Sequence, residues 1–215
     1  IVFLICLQLK RSISLENKEK LLIATSNIGK LKEFAILLPE FEVLSQDSLG
    51  ITPEKEIGHT FFENSLQKAR VASKASGLVA LGDDSGLIVP ALNNLPGLNS
   101  ARYAKENASD EENREHLKNE LKKLHIEEAK AYFVCVLVMV KNISDPFPYV
   151  STGLLGGTVR MKSKGSQGFG YDQMFYPENQ DLSLAEISSS EKAGLSHRGK
   201  AIESLRQKIA HFSSK

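Results

Sequence analysis

The chain is poor in the features that would tie it to metal clusters, membranes or nucleic acid. It has only two cysteines, Cys6 and Cys135. They make neither a metal-ligand spacing nor a disulfide framework, which fits a reducing, cytoplasmic setting. An excess of one charge is missing too: 27 Lys and Arg stand against 26 Asp and Glu, a net charge of +1. That balance excludes a basic nucleic-acid arm or a polyanionic tail and still permits a local basic pocket. No apolar run approaches the length needed to cross a bilayer. Internal repeats and low-complexity stretches are also lacking.

What is present is ordinary for a globular protein: 41% hydrophobic and 25% charged residues over 215 positions. That length can bury a sizeable core as one large domain or two lobes sharing an interior. Residues 1–20 are expected to be a peripheral extension. Their apolar run, Ile1 to Leu7, is followed rather than preceded by Lys10 and Arg11, the reverse of a secretory signal. Residues 21–215 are expected to form a single two-lobed domain.

The chain is organised around Gly82-Asp83-Asp84-Ser85-Gly86. Leu78 to Leu81 before it and Leu87 to Val89 after it read as buried strands that break at an acidic turn. Two carboxylates beside a core need a partner, and Mg2+, held by one or two carboxylates plus phosphates, suits them. If the segment is extended, only one of the two can face a ligand. An Asp-rich turn is the plainer reading of this stretch alone.

Upstream, Leu21-Leu22-Ile23-Ala24 is a strand. Thr25-Ser26-Asn27-Ile28-Gly29-Lys30 is a polar loop, and Leu31, Phe34, Leu37 and Leu38 then recur at helical spacing up to Pro39. Free N–H groups at the helix start, with Lys30, suit a phosphate, although simple helix capping explains the loop as well. It is not a Walker A loop. A short strand is expected near Phe41 to Leu44. The spacing next predicts a helix from about Thr60 to Ser76, with Phe62, Leu66, Ala69 and Ala72 inward and Asn64 and Lys68 on another face.

Beyond the acidic stretch, a Pro96-Gly97 loop leads into a helical stretch. A capping box, Ser109 with Glu112, opens a helix with Leu117, Leu121 and Leu124 in one stripe. Ala131 to Val140 reads as a central strand buried on both faces, with Cys135 and Met139 as filler. Gly153 to Arg160 is a further strand. In Gly168-Phe169-Gly170-Tyr171-Asp172, glycines beside an aromatic ring allow either a stacking platform or a buried anchor. Ser196 caps a last helix with Ala201, Leu205, Ile209 and Phe212 inward. His197 and Arg198 fall in its first turn, where cations oppose the helix dipole unless an acceptor-rich ligand sits there.

Six segments in this order resemble the inosine/xanthosine triphosphate pyrophosphatase family. They are Thr25 to Lys30, Thr60 to Asn64, Asp83 to Leu87, Ser100-Ala101-Arg102-Tyr103, Gly168 to Asp172 and Ser196-His197-Arg198. The likeness spans about residues 21–212. Its departures are Gly82 where Ala is usual, Ser65 for Ala and Gln173 for Pro. The resemblance implies an α/β fold, an elongated, mixed, twisted sheet flanked by helices, with two lobes and a central substrate cleft. It further implies a cytoplasmic homodimer, Mg2+ dependence and hydrolysis of ITP, dITP or XTP to the monophosphate and pyrophosphate.

By the same resemblance, Asp84 is the general base and, with Glu56, a metal ligand. Thr25, Ser26, Asn27, Ile28, Gly29, Lys30, Lys68, Ser85 and Lys192 bind substrate. Phe169, Gly170, Tyr171, Asp172, His197 and Arg198 surround the base. Glu63 and Asp83 are metal-linked at most. The rival readings are a polymerase palm, which the charge balance disfavours, and a nucleotide-sensing module without hydrolysis.

Overall fold

The computed structural model describes residues 18–213, with side chains up to Ala210; most of the expected extension, and Phe212 in the last helix's stripe, lie outside them. Strand β1, Glu19–Ala24, leads through Thr25 to Asn27 into helix α1, Ile28–Leu37. Asn27 caps α1 by accepting from the Lys30 N–H. Strand β2, Phe41–Ser45, follows. Helix α2, Phe61–Ser76, is opened by Thr60 and closed by Gly77 in the left-handed conformation.

Strands β3, Ala80–Val89, and β4, Leu95–Pro96, come next, then a 3₁₀ helix, Gly97–Arg102, and helix α3, Asp110–Lys123, which carries the full capping box. Strands β5, Glu128–Val140, β6, Tyr149–Arg160, and β7, Phe175–Pro177, complete the sheet. Helix α4, Ser189–Leu195, runs into α5, His197–Ser213, which Ser196 caps through the Gly199 N–H.

The seven strands form one mixed sheet in the order β2-β1-β3-β5-β6-β7, with β4 beside β3. β1 pairs in parallel with β2 and β3, and the other pairings are antiparallel. The expected mixed sheet flanked by helices is the fold found. Among the described residues no helix is long and apolar enough to cross a membrane.

One expectation fails. Asp83 and Asp84 do not turn the chain; they sit inside β3, paired in register with Leu137 and Val136 of β5. A strand can carry them because each carboxylate finds cations, described below, so the desolvation cost that suggested a break is offset. The helical stretch after Pro96 is only the 3₁₀ helix.

Helix α2 also differs in its inner face. Phe62 is 41% exposed, while Asn64, Ser65, Ala69, Ala72 and Ser73 are buried. Small residues line this contact because the backbones nearly touch: a Cβ on Gly82 would lie 2.0 Å from the Ser65 carbonyl oxygen.

The core explains where the site lies. One apolar cluster takes Leu87 and Val89 of β3 with Ala129, Ala131 and Phe133 of β5. Two more, on opposite sheet faces, take Leu81 with Cys135, Leu137 and Met139, and Ala80 with Val136, Val138 and Val140. Asp83 to Gly86 therefore occupies the seam where one core gives way to another.

Candidate active site

Alternation along β3 sends the two carboxylates to opposite faces. Asp83, completely buried, accepts from Arg198 Nε at 3.0 Å and faces Lys30 Nζ at 3.3 Å. Asp84 accepts from Lys68 Nζ at 2.7 Å and Asn64 Nδ2 at 3.2 Å, both from α2. Lys68 also meets Glu56 at 2.5 Å, and Arg102 of the 3₁₀ helix meets the same carboxylate at 3.2 Å.

On the Asp83 side the network runs on. Arg198 donates to Ser85 Oγ at 3.0 Å and to Glu33 of α1. Glu33 pairs with Lys192 at 2.6 Å, and Lys192 with Asp172 at 2.6 Å. Acids and bases thus alternate on each side of the seam, from Arg102 to Asp84 on one face and from Asp83 to Asp172 on the other. A recess of about 250 Å³ opens beside Ser26, Lys30, Glu56 and Lys68. A larger one, about 410 Å³, lies at Thr158, Arg160, Tyr176 and Glu178. Its lining, which includes Glu178 and Asp181, shares no residue with this network, whereas the smaller recess is bordered by Lys30, Glu56 and Lys68 of it.

The environment splits the adjacent carboxylates. Burial pushes Asp84 above the usual carboxylate range, although Lys68 draws it partly back. Burial would raise Asp83 too, but Arg198, Lys30 and Lys68 outweigh it and hold that carboxyl well below the usual range. Paired acids driven apart in this way separate a proton acceptor from a permanent anion. Lys68 and Lys192 are opposed by burial but pushed up overall by their acidic neighbours, so both stay charged.

The donor set fits a hard divalent ion. Glu56 Oε1 and Asp84 Oδ1 converge on the single Lys68 ammonium. Among the described residues no three His, Cys, Asp or Glu side chains cluster as a complete cage. Two carboxylates with room for phosphate oxygens are what Mg2+ takes.

The structure brings together most of the residues expected at the site. Thr25, Ser26, Asn27 and Lys30 border the recess. Ser26 donates to Asp47 at 2.7 Å and accepts from Gln46 at 2.8 Å. Phe169 packs on Gly29, whose Cβ would lie 2.5 Å from the ring, with Lys192 Nζ 5.0 Å and Arg198 Cζ 5.9 Å from the ring centroid.

Others stand aside. Ile28 is 68% exposed. Tyr171 points its hydroxyl to the Ser100 carbonyl at 2.9 Å and is buried as an anchor. His197 stacks on Phe133, ring centroids 4.8 Å apart, and burial drives its imidazole well below the usual range, so it is neutral. Glu63 accepts from the His59 N–H and the Thr60 hydroxyl, at the start of α2.

Glu33 is the residue that sequence reasoning missed. Its one local signal is its position three after Lys30, on the same helical face. Cys135 gives a simple check of the seam. It is buried, its thiol is pushed up by burial and by Asp83, and its Sγ lies 3.6 Å from Asp83. Thiol labelling followed by peptide mapping should leave Cys135 unmodified in the native protein and modify it in denaturant; prompt native labelling would show that the seam opens.

Comparison with known proteins places the geometry. A sequence profile of the Ham1 family matches residues 21–208. A dITP/XTP pyrophosphatase of Haemophilus influenzae is 46% identical, the alignment covering 89% of this chain and all of that protein. One from Legionella pneumophila is 42% identical over 87% and 97% of the two chains. The solved HAM1 protein of Coxiella burnetii superposes with a TM-score of 0.79 at 36% identity, covering 92% of this chain and all of that one. With a profile match across nearly the whole fold and relatives this similar over their full lengths, the chain belongs to the Ham1 family.

Proposed function

We propose that this protein hydrolyses non-standard purine nucleoside triphosphates, ITP, dITP or XTP, to the monophosphate and pyrophosphate. The observation that carries the reading is the split acid pair at the seam, Asp84 beside a recess bordered by Lys30 and Lys68. The relatives named dITP/XTP pyrophosphatase support the substrate class.

Glu56 and Asp84 would hold Mg2+, which supplies charge neutralisation and an acidified water when bound. Asp84 accepts the proton of the attacking water as oxygen adds to the α-phosphorus. The bond from that phosphorus to the bridging oxygen breaks, and pyrophosphate departs with the electron pair. Lys30 and Lys68, at the recess, offset the charge gathering on it. Both ammonium groups rest on carboxylates in the free protein, so they exchange one anion for another rather than waiting uncompensated in a buried site.

The purine lies towards Phe169, with Lys192 and Arg198 near the ring. Hypoxanthine and xanthine present an oxygen at position six where adenine presents an amine. A donor-lined site therefore leaves donor facing donor with ATP, at about 1–3 kcal/mol for each unmatched group. The reading includes a homodimer acting on the cytoplasmic nucleotide pool.

Pyrophosphate release from ITP, XTP, dITP, ATP and GTP, with Mg2+ and with EDTA, tests it. Release from the first three should exceed that from ATP and GTP, and chelation should abolish it. Tight ITP binding with no release would instead make the protein a sensing module.

A further inference from the structure

The loop that carries Phe169 is held at one residue from both sides. The Gly170 N–H donates to Asp110 Oδ2 at 2.7 Å, and the Gly170 carbonyl accepts from Arg114 Nη1 at 2.7 Å. Asp110 and Arg114 are four apart on α3 and so share one face of it. Gly170 and Gly168 have φ of 60° and 76°, a conformation that side chains resist, so the path between them is set by backbone freedom and needs outside bonds to fix it. Inside that path the Phe169 N–H donates to Asp172 at 2.9 Å, and its ring lies on Gly29.

The same helix also reaches the other end of the site. Asn113 accepts from the Ala104 N–H at 3.0 Å and donates to the Ala101 carbonyl at 3.1 Å, holding the 3₁₀ helix whose Arg102 pairs with Glu56. One rigid element thus sets the spacing between the acidic end of the site and the aromatic end.

We infer that Asp110 and Arg114 are positioning residues for purine recognition, fixing the Phe169 ring through Gly170 without touching substrate. The inference rests on the proposed function. It separates the phosphate tail, gripped by β3, α1 and α2, from the base, whose platform hangs from α3. Arg114, partly buried and charged, is the stronger hold; Asp110 is exposed.

The test uses the full chain carrying Arg114→Met or Asp110→Ala, with Arg114→Lys and Asp110→Asn retaining a donor and an acceptor. Arg114→Met should raise KM for ITP about tenfold, as loss of one charge-assisted hydrogen bond would, and leave kcat within about threefold. Asp110→Ala should do the same more weakly, and the two conservative variants should recover most of the loss. Inhibition by inorganic tripolyphosphate, which has the tail and no base, should be unchanged. Hydrogen exchange across residues 168–172 should quicken while β5 stays protected.

A parallel rise in the tripolyphosphate inhibition constant, unchanged exchange in the loop, or faster exchange with unchanged KM would each overturn the inference. If the wild-type protein releases no pyrophosphate from any nucleotide, the functional reading fails. Calorimetric binding of ITP and tripolyphosphate to the same variants then decides the positioning role in place of KM.

Discussion

Asp84→Asn is expected to remove turnover of ITP while leaving the nucleotide bound. The substituted amide keeps an oxygen that can accept from Asn64 or Lys68, and Lys68 retains Glu56, so the local ion network survives. What disappears is the carboxylate that burial holds above the usual range, ready to take a proton. General-base contributions run to about 10²–10⁴ in rate, and loss of a metal-binding oxygen adds to that, so kcat should fall about a thousandfold or more.

Substrate affinity should fall far less than turnover, because proton acceptance is lost only in the transition state, while Glu56 remains for the metal and Lys30 and Lys68 for the phosphates. Single-turnover pyrophosphate release and calorimetry with Mg2+ and a non-hydrolysable ITP analogue measure the two quantities. Near-normal turnover would remove Asp84 from the reaction. Equal losses in binding and turnover would make it a substrate-holding group instead.

Why Asp84 and its neighbour could be singled out, while their surroundings could not, follows from the range of the forces involved. The β1-loop-α1 unit, the Ser109–Glu112 capping box and strand β5 are written in near neighbours: a cap three residues from its N–H, an apolar run ten residues long. Local pattern suffices for them. The fate of Asp83 is decided by Arg198, 115 residues later in the chain, and by Lys30, far earlier in the chain on helix α1. No window of sequence contains both charges, so two consecutive Asp look like a break and turn out to be strand.

Glu33 was hidden for the same reason, since its partners Lys192 and Arg198 arrive on the last two helices. The buried face of α2 was misjudged on a different ground. Hydrophobicity favours Phe62, but the space beside Gly82 admits only small side chains. The resemblance of six ordered segments to a known family compensated for these gaps, because it assigns residues far apart in the chain to one site even when their contacts cannot be worked out.

Arg198→Ala should produce a large loss of stability. The guanidinium is 1% exposed and serves Asp83, Glu33 and Ser85 at once. Removing one partner of a buried ion pair costs about 3–5 kcal/mol, mostly because the remaining charge is left unpaired. At about 2–4 °C per kcal/mol for a chain of this size, the melting temperature should drop about 10 °C.

The pH dependence gives the sign. In the wild type Asp83 lies below its unfolded value, so it adds stability above about pH 4 that is lost only as the pH falls through its folded value. Without Arg198, burial is opposed only by Lys30 and Lys68, and the Asp83 carboxyl is expected to rise above the unfolded value. The folded variant then binds more protons than the unfolded chain, and its stability falls as pH rises. The deficit relative to wild type should therefore be smaller near pH 5 than near pH 8.

Adding Asp83→Asn to Arg198→Ala should restore part of the lost stability, because two absent charges cost less than one orphan. Scanning fluorimetry of the single and double variants at both pH values measures all three effects. Well below the melting temperature, the same Arg198→Ala protein should also discriminate less between ITP and ATP. A variant that melts with the wild type, at either pH, would mean that Asp83 is already neutral in the fold and that the seam is not held by charge.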